Sequence, residues 1–106
     1  MKRPKYGNRK TLLDGLEFDS AKEARRWSEL SLLQSGGHIT DLSRQVRMPL
    51  RVNGMLVCTI VPDFTYVEAG QHVIEDVKSP ITAKNRAYRI KLKLLKALTG
   101  SDIRET

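Results

Sequence analysis

Two aspartates and a lysine lie close together in the stretch Val61 to Lys78, which reads Val-Pro-Asp-Phe-Thr-Tyr-Val-Glu-Ala-Gly-Gln-His-Val-Ile-Glu-Asp-Val-Lys. The segment Glu68-Ala69-Gly70-Gln71 is a turn signal between two β-type runs, Val57 to Val67 and His72 to Val77, which predicts an antiparallel hairpin. Side chains alternate faces along a strand, so Asp76 and Lys78 share one face and Glu75 shares the other with Val73 and Val77. If the register sets Asp63 opposite Asp76, two carboxylates and an ammonium meet at one sheet surface. Carboxylates that close repel and resist ionising unless a cation lies between them. All-oxygen ligands, with no His or Cys cluster nearby, suit Mg2+ or Mn2+ rather than zinc. Such an ion activates water and stabilises charge developing on a phosphoryl oxygen. Lys78 would then serve the attacking water or the transition-state anion. An Asp-x-Lys triplet also occurs on ordinary half-exposed hairpins, so the surrounding elements decide what it means.

The chain has 106 residues, 40% hydrophobic and 29% charged, which is the composition of one globular domain with little core to spare. Nineteen Lys and Arg against 12 Asp and Glu give a net charge of +7, and with a pI near 9.9 the expected partner is a polyanion, DNA before a membrane. No signal peptide or long apolar span is visible, so a cytoplasmic protein with no membrane partner is expected. The single cysteine, Cys58, has no internal partner for a disulfide and reads as a packed core thiol.

Residues 1–10 read as a basic flexible arm whose Lys2, Arg3, Lys5, Arg9 and Lys10 would follow phosphates, and residues 11–106 as one domain. Asp14-Gly15 between Thr11-Leu12-Leu13 and Leu16-Glu17-Phe18 predicts a small hairpin with a type I′ turn. Ser20-Ala21-Lys22-Glu23 has the spacing of a capping box, with Ser20 or Asp19 as the cap of a helix running to about Gln34 and stopped by Gly36-Gly37. Glu23 falls on the inward stripe of that helix with Trp27, Leu30 and Gln34. It is either the capping carboxylate reaching back to Ser20 or a third acid aimed at the aspartates. Gln45 to Val52, Met55 to Tyr66 and His72 to Val77, joined through Asn53-Gly54 and Ala69-Gly70, predict a three-stranded antiparallel meander, with Pro49 marking an edge or a bulge.

Ser79 or Thr82 is the expected cap of a second helix running to about Leu98 and closed by Gly100. Its inward stripe is Ala83, Ala87, Ile90, Leu94 and Leu98, widened by Tyr88, Leu92 and Leu95. Arg86, Arg89, Lys93 and Lys96 share the opposite face, either as a solvated row or as a ridge for phosphates. Lys84 and Lys91 fall inside the apolar arc, where they either snorkel outward or reach the rim of the site. Ile103-Arg104-Glu105 reads as a short final strand, parallel to a neighbour.

Together these elements make an α/β (α+β) chain whose Glu23, Pro62-Asp63 and Asp76-Val77-Lys78 follow one another in the order that resembles the PD-(D/E)xK nuclease superfamily. The resemblance implies a restriction-endonuclease-like core and a metal-dependent DNA endonuclease. It implies Asp63, Asp76 and Glu23 as ligands of Mg2+ or Mn2+, the carbonyl of Val77 as a further ligand, and Lys78 as the catalytic lysine. The phrases Lys5 to Thr11, Asp14 to Ser20 and Glu23 to Arg26 are similar to a family of small phage and prophage proteins related to phage junction-resolving endonucleases. That similarity implies a phage or prophage origin, a branched substrate such as a Holliday junction, a two-fold homodimer, and Gln45 as a further site residue. Lys84, Arg86, Arg89, Lys91, Lys93, Arg9 and Lys10 are the expected DNA contacts. Glu75 beside Asp76 departs from the pattern, although only Asp76 has the proper offset from Lys78. The alternative is a basic nucleic-acid-binding protein that keeps the nuclease fold without catalysis.

Overall fold

The computed structural model describes residues 10–78 and 85–106. Strands β1 (Thr11–Leu13) and β2 (Leu16–Phe18) form the expected hairpin, with Asp14 and Gly15 both at positive φ. Helix α1 (Ala21–Ser35) follows, capped by Ser20, whose Oγ accepts from the Glu23 amide, and closed by Gly36. Then come β3 (Ile39–Arg44), β4 (Met48–Val52), β5 (Met55–Ile60), β6 (Phe64–Glu68), β7 (Gln71–Asp76), α2 (Arg86–Thr99) and β8 (Ile103–Glu105).

The central sheet has the order β3-β6-β7-β8, with β3, β6 and β7 antiparallel in turn and β8 parallel to β7. Among the described residues, strands β4 and β5 pair only with each other, as a separate two-stranded ribbon. The predicted three-stranded meander is therefore corrected. Its middle strand breaks at Val61-Pro62-Asp63, so that β5 pairs with β4 while β6 lies between β3 and β7. Pro62 cannot donate to a ladder, and its full burial at the corner fixes where the chain leaves one sheet and enters the other.

One face of the sheet packs against α1 through Phe18, Ala24, Leu30, Ile39, Phe64 and Tyr66, with Trp27 stacked on Phe64. The guanidinium of Arg44 lies 4.2 Å from the centre of the Phe18 ring, and Gln34 accepts a bond from the Leu42 amide at the irregularity in β3. The other face carries Ile74, which packs with Leu50, Ile60 and Leu95 from the ribbon and α2, and Cys58 lies against this cluster as expected. Full burial of a Leu or Phe side chain contributes about 1.5–3 kcal/mol, so two modest clusters on opposite faces hold the sheet between α1 and α2.

Helix α2 is rolled relative to its predicted stripe. Ile90 is 65% exposed and Leu98 42%, while Leu95 is fully buried and Tyr88, Lys91 and Leu92 are half-buried. Its described start is also later than expected, with Asn85 accepting from the Tyr88 amide as the cap. The caps first expected, Ser79 and Thr82, and the stripe residue Ala83 lie outside the described residues.

Candidate active site

The β6–β7 register pairs Phe64 with Glu75, and one step further the two aspartates face each other beyond the last ladder pair. There the carboxylates take over from the ladder. Asp63 N–H donates to Asp76 Oδ1 and Val77 N–H donates to Asp63 Oδ2, both at 2.8 Å. Each acid is thus held by the backbone of the opposite strand. Asp76 Oδ2 also accepts from Lys78 Nζ at 2.9 Å and from the Tyr88 hydroxyl at 3.2 Å. The Lys78 ammonium lies 3.7 Å from the centre of the Tyr88 ring, so α2 supplies both a hydroxyl and an aromatic face.

Glu23 enters from the first turn of α1 and is 4% exposed. Only half of a capping box forms there: Ser20 accepts from the Glu23 amide, but Glu23 Oε1 is buried without a hydrogen-bond partner among the described residues. Burial, with Asp63 and then Asp19 nearby, pushes the Glu23 carboxyl up to about 7. Asp63 is pushed up to about 6, by burial first and then by the charge of Asp76, against the bond from Val77. Burial and the adjacent Asp76 hold the Tyr88 phenol well above its ordinary value, so it remains a donor.

All of these groups line one cavity of about 600 Å3, with Asp19, Lys22, Thr59, Val77 and Lys91 completing its wall. Its wall carries the acids Asp19, Glu23, Asp63 and Asp76 together with the lysines Lys22, Lys78 and Lys91. Among the described residues no three His, Cys, Asp or Glu side chains are already drawn together as a metal cage. In kind, the donors nevertheless fit a hard cation: they are all carboxylates, two resist ionising as they stand, and one buried oxygen lacks a hydrogen-bond partner among the described residues.

Behind the site, on the α1 face of the sheet, Glu75 is fully buried. Arg26 donates to both its oxygens, at 2.7 and 3.0 Å, and the Tyr66 hydroxyl and the Thr106 hydroxyl donate to it as well. Burial alone would raise this carboxyl, but the four donated bonds outweigh it and leave Glu75 below the ordinary carboxylate range. Glu75 therefore belongs to a structural network rather than the cavity. The Thr106 amide donates to the Asp76 carbonyl and the Lys78 amide to the Thr106 carbonyl, so residues next to β8 fix the strand that carries the acid and the lysine.

Glu23, Asp63, Asp76, Val77 and Lys78 are thus brought together, and Lys91 joins them at the wall. Of the other expected DNA contacts, those among the described residues do not line the cavity. Arg86, Arg89 and Lys93 lie on the exposed side of α2, Lys10 pairs with Glu17, and Gln45 is exposed, with its amide donating to the Asp63 carbonyl. Arg9 and Lys84 lie outside the described residues. Tyr88 and Lys22 were not anticipated as site residues. Tyr88 reads as one more apolar residue of a helical arc, and nothing in its spacing marks the hydroxyl. Lys22 stands one residue before Glu23, on the exposed side of the same helical turn, which was the only available signal.

Residues 3–101 match the model of a family described as a protein of unknown function, DUF1064. The chain belongs to this family. Every cavity-lining residue falls within the segment shared with the DUF1064 model. No curated protein and no solved structure is significantly similar to this DUF1064 chain. Among the described residues no helix is long and apolar enough to cross a membrane.

Proposed function

We propose that the protein is a metal-dependent endonuclease that hydrolyses phosphodiester bonds in DNA. The observation that carries this reading is the meeting of Asp63, Asp76 and Lys78 at one cavity with the buried Glu23, whose Oε1 has no hydrogen-bond partner among the described residues. Asp63, Asp76 and Glu23 would hold Mg2+ or Mn2+, with the Val77 carbonyl available beside them. When bound, such an ion supplies a water of lowered pKa and charge stabilisation at the phosphoryl oxygens. Lys78 presents a positive charge at Asp76, where it can orient the nucleophile and offset negative charge on the pentavalent transition state. Lys22 and Lys91 line the same cavity as the acids and attract the phosphates that the acids alone would repel.

In the same reading the four-stranded sheet, with α1 behind it and β8 parallel to β7, is a restriction-endonuclease-like core. The protein is of phage or prophage origin and acts in the host cytoplasm. Its substrate is a branched DNA such as a Holliday junction, cut by a two-fold dimer because two symmetric cuts need two sites at fixed separation. Sedimentation with and without junction DNA tests the dimer, and a monomer in both cases would remove it.

One observation favours a second reading, a nucleic-acid-binding protein without catalysis. Both oxygens of Asp76 already have partners, in Asp63, Lys78 and Tyr88. Cleavage of a labelled four-way junction beside a matched linear duplex separates the two readings, with magnesium, manganese or EDTA, for wild type, Asp76→Ala and Lys78→Ala. Metal-dependent cutting lost in both variants is the expected result, and preference for the junction identifies a resolvase. Tight binding with no cutting by wild type would replace the nuclease with the binding protein.

A further inference from the structure

The central cavity continues onto α1. A second cavity of about 250 Å3 adjoins it, lined by Lys22, Arg25, Arg26, Glu29, Val77 and Thr106, and Lys22 and Val77 belong to both. The two hollows therefore meet at Lys22 and Val77, and the groove along them lies beside Lys78 and the first turns of the helix.

The charges along this groove are not equivalent. Arg26 is committed to the buried Glu75 and also lies 3.8 Å from Glu29. Lys22 and Arg25 form no ion pair with another described residue. Lys22 is held in place all the same: its ammonium donates to the Lys78 carbonyl at 3.0 Å, which fixes it beside the candidate catalytic lysine. Lys91 stands on the α2 wall of the first cavity and likewise forms no ion pair with a described residue. Three cations that form no ion pair with a described residue thus line the two hollows, Lys22 and Arg25 from α1 and Lys91 from α2.

We propose that Lys22 and Arg25 form a phosphate-binding subsite for the nucleic-acid strand that enters the cavity, so that the backbone runs from Lys91 across the acids and onto α1. This rests on the reading of the cavity as a DNA-cutting site, and it moves the strand's exit from the exposed row of α2 to the first turns of α1. The contacts are to backbone phosphates and carry no base preference.

Fluorescence anisotropy with a labelled DNA duplex in EDTA, from 50 to 200 mM NaCl, tests the subsite for wild type, Lys22→Ala/Arg25→Ala and Arg47→Ala/Arg51→Ala. Each lost phosphate contact lowers the slope of log K against log salt by about 1, so the α1 double variant should show a slope smaller by about 2 and about tenfold weaker binding at low salt. The second double variant removes the same charge from Arg51 in β4 and from Arg47 just before it, outside both cavities, and should lose much less. A wild-type slope and affinity in Lys22→Ala/Arg25→Ala would overturn the subsite, as would an equal loss in the second double variant, because net charge alone would then explain the effect. Failure of wild type to bind DNA would overturn it too. Binding with the expected slopes but no cutting in magnesium would sustain the subsite while removing the nuclease reading.

Discussion

The amide of Asp63 donates to the carboxylate of Asp76 at 2.8 Å, and the return bond runs from the amide of Val77 to Asp63. Two acids that repel through their charges are therefore locked together through their backbones. Their separation is set by strand register rather than by side-chain choice, so a substitution can remove charge while leaving the geometry. Asp63→Asn and Asp76→Asn retain an acceptor oxygen for these bonds. Both should fold with near-native circular dichroism and bind DNA, while cutting falls by at least about a hundredfold, the scale expected when a group stabilising the transition state is lost.

The raised carboxyls give a pH dependence of stability. Glu23 and Asp63 bind protons more tightly folded, at about 7 and about 6, than unfolded, at their ordinary values near 4.5 and 3.8. Proton binding thus favours the folded state, and the metal-free protein should lose stability as pH rises from about 4 to about 7 through these two groups. Above that window, Asp63→Asn should stabilise the metal-free protein, by about 1 kcal/mol or roughly 4 °C in Tm. At pH 4 the gain should vanish. A divalent ion that binds the acids should raise wild-type Tm more at pH 8 than at pH 5, and thermal melts with and without manganese measure both effects.

Tyr88 reaches Asp76 with its hydroxyl and Lys78 with its ring, which makes it a positioning residue for the lysine. Tyr88→Phe keeps the ring and removes the hydroxyl, whereas Tyr88→Leu removes both. A desolvated cation–π contact is worth about 2 kcal/mol, so Tyr88→Leu should slow single-turnover cutting by roughly tenfold or more with unchanged DNA affinity. Tyr88→Phe should recover most of the rate. Equal losses in the two variants would show that the ring does not hold Lys78.

Glu75 holds Arg26, Tyr66 and Thr106 together behind the site. Removing one partner of a buried pair leaves the other charge uncompensated, so Glu75→Ala should cost about 3 kcal/mol and lower Tm by more than about 10 °C. Glu68→Ala, which leaves only the partly exposed Arg104 without its ion pair, should cost no more than about 1 kcal/mol. Denaturant melts of the two variants give the comparison directly.

The local chemistry of this chain was legible where single residues dictate backbone geometry. Asp14-Gly15, Asn53-Gly54 and Ala69-Gly70 all take the paired positive φ values of type I′ turns, even at Ala69, and Ser20 and Gly36 bound α1 as expected. The alternation that separates Glu75 from Asp76 and Lys78 was equally plain, because a strand has period two. What was lost were the decisions taken by tertiary packing. Met55 to Tyr66 reads as one continuous β-type run, and the burial of Pro62 at a corner divides it between a ribbon and the central sheet. In α2, Ile90 and Leu95 are equally apolar in sequence, and the roll that exposes one and buries the other follows from Leu95 packing with Ile74, Leu50 and Ile60. The same roll turns Tyr88 and Lys91 toward the acids.

The most direct measurement is the conversion of supercoiled plasmid DNA to nicked circles, since one cut in thousands of bonds changes its mobility. Wild type should nick in magnesium or manganese and stop in EDTA, and Asp76→Ala and Lys78→Ala should fail to nick while still binding DNA. Nicking by Asp76→Ala at the wild-type rate, or nicking by wild type that persists in EDTA, would contradict the account.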